Sequence, residues 1–342
     1  MKTTASQSIV PGLYKPSMLN WLNDSSLKLI SARGDGSAVK RQFLVFVVPS
    51  KRHESPMLKL LASQRNFDLA VRFFEAPGVN EELVAGAEFV MTGGLSKFHA
   101  ASLFLRERQL EDAYDGYLFL DGDLEFDASQ IDHFLSFVHA AGFSLAQPSV
   151  SRDSYCYWKM AYHQPRYIFR DTSFVEVMAP YLSRAALSKA LPTFVQSISA
   201  YGLDLIWPSL VGNKAIGVVD AFQIRHRDRV DHASGNFYKY LKSIGVDLDE
   251  EERLILNEYG VTPEHAHSRR GYFWNRRWPL SSERPALVSV PLNAPEMKTE
   301  KQILIDLAMR RARWGSSRAE GVLASAISPY LTGDRISSGL EK

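Results

Sequence analysis

The stretch "YLFLDGDLEFD" (117–127) sets Asp121, Asp123 and Glu125 directly behind an apolar run. In an extended segment, residues two apart point the same way, so Asp121 and Asp123 are expected to face one space. Gly122 between them removes a side chain that would crowd a ligand. Two carboxylates this close repel unless a proton or cation joins them. Mg2+ or Mn2+ takes oxygen ligands and commonly leaves much of its octahedron to water and phosphate. The pattern therefore has two readings, a polar exit from a buried strand or a metal clamp on a diphosphate. Glu125 is expected to be solvated or structural.

Other residues extend this chemistry. His226 ends "FQIRH" inside a cluster formed by Arg225, Arg227 and Arg229. It reads either as a surface histidine among charges or as a third metal ligand beside Asp121 and Asp123. In the second case Arg225, Arg227 and Arg229 would neutralise a departing diphosphate. The segment after them, "VDHASGNFYKY", has the Gly and Ser content of a mobile lid. Asp204, in "YGLDLIWPSL", is a helix cap or a general base for a hydroxyl. Glu176 sits inside the apolar "FVEVMA", where an acid needs a partner or a function. The segment "RDSYCYWKMAYHQPRYIFRD" (152–171) is rich in aromatics and arginines. It either packs over the sheet or offers Tyr157, Trp158 and Tyr162 as an acceptor surface for sugar rings.

Positioning these groups requires a frame. Buried strands are expected at 43–48, 69–74, 87–94, 117–120, 143–148, 174–179 and 215–226, with helices at 95–109 and 183–190. Another helix is expected after "DASQ", with Asp127 as cap, Gln130 in a capping box and Gly142 as stop. Strands alternating with helices predict an α/β fold with a largely parallel sheet. Ligands of such sheets bind at the carboxyl ends of the strands. That places Pro49, Ser50, Lys51, Glu75 and the Asp121–Asp123 pair on one rim. No GxGxxG or GxxxxGK[ST] phosphate loop occurs. The organisation expected is an irregular extension over 1–40, a catalytic domain over 41–245 and a helical accessory region over 246–342. Arg33-Gly34-Asp35 reads as a turn.

Composition narrows the partners. The 342 residues carry 40 Lys and Arg against 38 Asp and Glu, a net charge of +2. That balance gives no bulk electrostatic case for nucleic acid. A single cysteine, Cys156, excludes an internal disulfide or a thiolate zinc site and fits a reducing, cytoplasmic setting. The first residues lack the long apolar core of a signal peptide. The helix expected over 301–315, "KQILIDLAMRRARWG", either packs on the catalytic domain or makes a peripheral contact with an anionic membrane face.

Several blocks occur together and in order: "YLFLDGDLEFD", "LAQPSV", "FVEVMAPYLSRAA", "YGLDL" and "AIGVVDAFQIRH". Over about residues 41–230 the chain thereby resembles a domain-of-unknown-function family of plant and bacterial proteins. That family has a GT-A-like fold, the fold of nucleotide-sugar glycosyltransferases. The chain departs from it at Gly122, where an acidic residue is usual. The resemblance implies a mixed, largely parallel sheet flanked by helices, and Mn2+ or Mg2+ as cofactor. It implies Asp121, Asp123 and His226 as metal ligands, Asp204 as base and Glu176 at the acceptor site. It implies that Lys97 contacts a nucleoside-diphosphate sugar donor, to which Pro49 and Ser50 are assigned by their place on the rim and Arg225 and Arg227 by their place beside His226. The reaction implied is hexosyl transfer to a glycan or lipid-linked acceptor, in polysaccharide or glycoconjugate biosynthesis. Two other classes stay open: a sugar-nucleotide phosphotransferase or phosphohydrolase, and a non-catalytic glycan-binding protein. Leu124-Glu125 after the Asp pair argues against an aspartyl-phosphate phosphatase, which usually has Gly there.

Overall fold

The computed structural model describes residues 26–32, 41–49, 54–61, 65–74, 81–127, 129–165, 167–228, 235–262, 268–274 and 287–291. The elements up to the acidic stretch are β1 (Leu27–Ala32), β2 (Phe43–Val48), α1 (Glu54–Met57), β3 (Phe67–Phe73), α2 (Glu81–Gly86), β4 (Phe89–Gly93), α3 (Lys97–Glu107), β5 (Gly116–Asp121) and β6 (Leu124–Glu125). There follow α4 (Gln130–Ala140), β7 (Leu145–Val150), β8 (Phe169–Thr172), β9 (Tyr181–Ser183), α5 (Arg184–Ala190), α6 (Leu203–Leu210) and β10 (Ile216–His226). The last are α7 (Asn236–Ser243), α8 (Leu248–Tyr259), β11 (Ser268–Trp274) and β12 (Leu287–Pro291).

The strands make one 12-stranded sheet, ordered β1-β4-β3-β2-β5-β9-β7-β10-β8-β11-β12, with β6 paired to β10. The fold is thus a mixed α/β sheet flanked by helices. The run β4-β3-β2-β5 is parallel, and so is β7-β10. The short β9 enters between β5 and β7 antiparallel to both. Antiparallel strands complete the two edges.

Continuous apolar strands follow from helices covering both faces. In β2, Leu44, Phe46 and Val48 join one core with Phe98 of α3, Phe194 and Trp207 of α6. Phe43, Val45 and Val47 join the opposite core with Phe134 and Phe137 of α4. β5 divides in the same way, with Tyr117 and Phe119 on one side and Leu118 and Leu120 on the other. Each such buried side chain contributes about 1.5–3 kcal/mol, so the carboxyl ends of β2 and β5 are held rigidly side by side.

Several expectations are corrected here. The first 40 residues are not wholly irregular, because Leu27–Ala32 forms an edge strand antiparallel to β4. The expected strand over 174–179 is an irregular buried stretch between β8 and β9. Its polar groups go to side chains instead of a ladder: the Glu176 N–H donates to Gln147 Oε1 at 2.5 Å, and the Val177 carbonyl accepts from Lys97 Nζ at 2.5 Å. α4 starts at Gln130 after Ser129, so Asp127 lies before the cap. Gln130 Oε1 nonetheless accepts from the Asp127 N–H at 3.1 Å, one half of a capping box. The boundary expected at 245/246 runs through packed structure, because Ile255 and Leu256 of α8 lie in the same core as Phe46 and Phe119. Ser50, Lys51, Glu75, the Arg33-Gly34-Asp35 turn and the 301–315 helix lie outside the described residues. No described helix is long and apolar enough to cross a membrane.

The aromatic segment 152–168 is fastened to the sheet by one buried ion pair. Arg170 of β8 meets Asp220 of β10 through Nε–Oδ2 at 2.7 Å and Nη2–Oδ1 at 3.0 Å. The same guanidinium donates to the Met160 carbonyl at 2.6 Å and the Tyr162 carbonyl at 2.9 Å, while Asp220 accepts from the Gln164 N–H at 2.8 Å. Breaking a buried pair from one side strands the other charge, so Arg170→Met should cost about 3–5 kcal/mol. The double variant Arg170→Met/Asp220→Leu should regain most of that loss. Urea unfolding of both variants checks this, and an equal loss in each would contradict the pairing.

Candidate active site

The apolar run of β5 ends at Asp121, and the chain turns through Gly122 and Asp123 before β6. Strand alternation therefore does not carry through the Asp-x-Asp, and the two carboxylates have different partners. Gly122 has a backbone reason. A Cβ there would lie 2.3 Å from the Val48 carbonyl oxygen and 2.5 Å from Pro49 Cα. It permits the ends of β2 and β5 to close on one another rather than clearing space for a ligand. Pro49 is buried in that contact.

Lys97, the first residue of α3, holds the rim together. Its ammonium donates to Asp121 Oδ1 at 2.6 Å and to the carbonyls of Val177 at 2.5 Å and Met178 at 3.3 Å. The Asp121 N–H donates to the Met178 carbonyl at 2.9 Å. Burial lowers the Lys97 ammonium from its ordinary value, against the pull of Asp121. Lys97 thus binds the Asp-x-Asp itself, whereas the resemblance implied a contact to the donor.

Asp123 meets His226. β10 pairs antiparallel with β6, His226 opposite Leu124, and this brings Asp123 Oδ2 to 2.9 Å from His226 Nε2. His226 Nδ1 donates to the Tyr155 carbonyl at 2.8 Å, and its backbone N–H donates to Ser154 Oγ at 2.9 Å. With Nδ1 committed as donor, only a second proton or a cation lets Nε2 face a carboxylate. Burial would lower His226, but the hydrogen bond and charge of Asp123 outweigh it and raise the imidazole to about 9. Arg225 and Arg227, flanking His226, turn elsewhere. Arg225 pairs with Glu125 at 3.2 Å and Asp153 at 3.0 Å, and Arg227 pairs with Glu125 at 3.1 Å. Both guanidiniums expected for the donor are thus engaged by carboxylates, and Glu125 is their structural counter-ion.

The two remaining carboxylates are buried on the other side. Glu176 accepts from the Trp158 N–H at 3.2 Å and from Cys156 Sγ at 3.5 Å. Burial pushes it up to about 7, although these donors pull it down. Asp204 lies in the first turn of α6, entered through Gly202 at φ 81°, a backbone that favours glycine. Burial pushes Asp204 up to about 8, and the charges of Glu176 and Glu252 add to that. The turn before α6 is fixed by the buried Glu251 of α8, which accepts from Ser197 Oγ and from the N–H groups of Ile198 and Ser199. Charge interactions link Asp204 to Glu176, Glu176 to Asp121 and His226, and Asp121 to Asp123. Asp121, Asp123, His226, Lys97, Glu176 and Asp204 therefore share one electrostatic field.

Of the three aromatics expected at an acceptor surface, Tyr157 is exposed. Trp158 packs on Phe174, and Tyr162 packs against the core that holds Phe134 and Phe137, with its hydroxyl 3.4 Å from the Ser154 carbonyl. Four members of the site were given no site role from sequence, Gln147, Cys156, Tyr201 and Tyr238, although Gln147 lies in "LAQPSV" and Tyr238 in "VDHASGNFYKY". The Tyr201 and Tyr238 hydroxyls are 3.4 Å apart, with Tyr238 in the field of Asp121 and Asp123.

Two groups could form part of an Mn2+ or Mg2+ site, and here they make an ion pair at 2.9 Å. One carboxylate oxygen and one imidazole nitrogen are aimed at each other, and such ions often rely on substrate phosphates for the rest of their shell. Among the described residues no group of three or more His, Cys, Asp or Glu could hold a metal ion. Asp121 stands instead in an ion pair with Lys97.

No family model and no curated protein matches the chain. Solved structures do. The crystal structure of S. aureus TarS 1-349 in complex with UDP-GlcNAc is 11% identical at a TM-score of 0.38, covering 85% of this chain and 81% of that one. GalNAc-T7 with UDP, GalNAc and Mn2+ is 10% identical at 0.39, covering 65% and 55%. A197 from STIV is 15% identical at 0.30, covering 55% and 86%. At TM-scores of 0.30–0.39 these likenesses assign no residue, substrate or reaction to the chain.

The two raised carboxyls make stability depend on pH in a defined direction. Folded Asp204 and Glu176 keep protons where unfolded carboxyls, near pH 4, have lost theirs. The folded state then binds more protons between about pH 4 and pH 8, so stability falls as pH rises through that window. The fall from each group is at most about 1.4 kcal/mol per pH unit. Asp204→Asn should flatten the difference between pH 5 and pH 8. Parallel slopes for variant and parent in thermal melts would contradict the burial of an ionisable Asp204.

Proposed function

We propose that the chain is a GT-A-like, metal-dependent glycosyltransferase of the hexosyltransferase type. It moves a sugar from a nucleoside-diphosphate donor to a hydroxyl of a glycan or lipid-linked acceptor, in polysaccharide or glycoconjugate biosynthesis. The observation that carries this reading is the Asp123–His226 contact at 2.9 Å, in the same field as the buried Glu176 and Asp204. A cation to meet the leaving diphosphate and a carboxylate to take the acceptor proton are two parts that such a transfer uses.

Asp123 and His226 would hold Mn2+ or Mg2+, with Asp121 beside them in the grip of Lys97. Bound there, the ion supplies positive charge where a diphosphate develops negative charge as it leaves. The chain's own residues do the rest. Lys97 fixes Asp121 and the 174–180 segment, so the rim is formed before a donor arrives. Asp204 takes the proton from the acceptor hydroxyl, and burial keeps its carboxylate basic enough to do so near neutrality. Glu176 holds the acceptor side in place and raises the basicity of Asp204 through its charge. A basic carboxylate opposite the leaving diphosphate fits in-line attack at the anomeric carbon.

Isothermal titration with UDP-, GDP- and TDP-sugars in the presence of Mn2+ tests the assignment. Saturable binding followed by transfer supports it. Donor hydrolysis or phosphoryl transfer alone points to the phosphohydrolase class, and glycan binding without nucleotide binding points to a lectin-like role. Asp123→Ala and His226→Ala should each remove Mn2+-dependent donor binding. Asp204→Asn should lower kcat by about 10^2–10^4-fold while leaving donor affinity within a few fold. For the parent, kcat should rise with pH toward about 8 as Asp204 loses its proton. A pH-independent kcat, or full activity in Asp204→Asn, would remove the base from the scheme.

A further inference from the structure

We propose that Glu251 of α8 is the positioning residue for Asp204: its carboxylate holds a strained turn over residues 197–202, and that turn fixes where α6 presents Asp204 to the site. The proposal rests on the reading of Asp204 as the base. It adds α8, from the region expected to be accessory, to the machinery that places that base.

Four donors converge on one buried side chain. Glu251 is 1% exposed and accepts from the Ile198 N–H at 3.1 Å and the Ser199 N–H at 3.0 Å. It also accepts from the hydroxyls of Ser197 and Ser199. Ser199 Oγ in turn accepts from the Tyr201 N–H at 3.1 Å, and Ser197 Oγ lies 3.1 Å from the Tyr201 carbonyl oxygen. α8 grips the same stretch a second time, because the Tyr259 hydroxyl donates to Gln196 Oε1 at 2.8 Å.

Local preference alone would not give the turn this shape. Ala200 has φ 71° and Gly202 has φ 81°, two left-handed residues within three positions. Glycine enters that region freely, whereas alanine does so at a cost. Such a backbone persists where its surroundings over-determine it, and it gathers at functional sites. Here the surroundings are α8. Glu251 ties down the residues just before Ala200, and a Cβ at Gly202 would lie 3.3 Å from Glu252 Cα.

The path from this turn to Asp204 is short and made of backbone. The Ala200 carbonyl accepts from the Leu203 N–H at 3.2 Å, and the Gly202 carbonyl accepts from the Ile206 N–H at 3.1 Å. The turn therefore runs directly into the first turn of α6, where Asp204 is the second residue. Tyr201, between the two left-handed residues, brings its hydroxyl to 3.4 Å from that of Tyr238. The charges of Glu176 and Glu252 act on Asp204 through space. The bonds of Glu251 reach it through the chain.

Two readouts on the full chain test this. The first needs no turnover: thermal melts at pH 5 and pH 8 of the parent, Asp204→Asn, Glu251→Gln and the double variant. The part of the pH 5 to pH 8 fall that depends on Asp204 should shrink at least twofold in the Glu251→Gln background, because a misplaced Asp204 meets more solvent. The second is transfer from UDP-, GDP- and TDP-sugars with Mn2+ to a pool of cello-, chito- and malto-oligosaccharides. Glu251→Gln should lower kcat tenfold or more with donor KM within threefold, but less than twofold in the Asp204→Asn background. Ser199→Ala keeps the Glu251 charge and loses the hydroxyl link to the Tyr201 N–H. It should move both readouts the same way by a smaller amount, and it decides the question if Glu251→Gln does not fold. An unchanged Asp204-dependent fall overturns the positioning, and so do equal kcat losses in both backgrounds. A parent-like Ser199→Ala beside an impaired Glu251→Gln assigns the effect to charge and overturns it too. A shrunken fall in a chain that transfers no sugar keeps the positioning and overturns the base role instead.

Discussion

The Lys97 ammonium is the constraint on which the site depends. It sits at the first turn of α3, where the helix's positive end disfavours a cation. The carboxylate of Asp121, at 2.6 Å, and two backbone carbonyls offset that cost. One side chain thereby joins the start of α3, the end of β5 and the 174–180 segment. The segment carries Glu176, and the turn after β5 carries Asp123. Without Lys97, the carboxyl end of β5 would keep its place in the sheet while both flanking chains lost their common anchor.

The second constraint is burial. Four acidic groups gather here, Glu176 and Asp204 buried and Asp121 and Asp123 partly exposed, and each is held by a different device. Asp121 has an ammonium, Asp123 an imidazole, Glu176 a thiol and a backbone N–H, and Asp204 the N-terminal N–H groups of α6. Like charges so close cannot all ionise without counter-charge. The Lys97 and His226 cations are on the Asp121–Asp123 side, so the unbalanced pair is Glu176–Asp204. The asymmetry divides the site: Asp121 and Asp123 each meet a cation, whereas burial pushes Glu176 up to about 7 and Asp204 up to about 8.

Much of this was legible in the sequence. The strands at 43–48 and 117–120 are unbroken apolar runs, 215–226 is a β-rich run, and both sheet faces are indeed covered. Asp121, Asp123, Glu176, Asp204 and His226 come from four separate blocks, and charge interactions connect them in the fold. Pairings made by tertiary contact were not legible. "FVEVMA" alternates like a strand, yet its carbonyls are claimed by Lys97, a residue about 80 positions earlier. Asp-x-Asp reads as alternation, yet a turn at Gly122 sends its members to different partners, because β2 approaches too closely for a side chain. Arg225 and Arg227 read as free cations near a diphosphate, and only the antiparallel pairing of β6 with β10 reveals that Glu125 meets them. Polarity and periodicity report what a residue is; its partner is set by the strand that folds against it.

That same distinction explains why the aromatic segment resisted a sequence reading. Its composition is compatible with core or with binding surface, and the structure divides it between the two. Arg170 and Asp220 fasten its far half to the sheet, while Glu176 and His226 fasten its near half to the site. Trp158 stands at the division, its N–H on Glu176 and its ring on Phe174, so it converts core packing into the orientation of Tyr157. Cys156 belongs to the same device: burial pushes its thiol up, which keeps it a hydrogen donor to Glu176 at any ordinary pH. The only cysteine of the chain thus acts through the proton it retains, and the carboxylate it serves keeps the near half of the segment against the site.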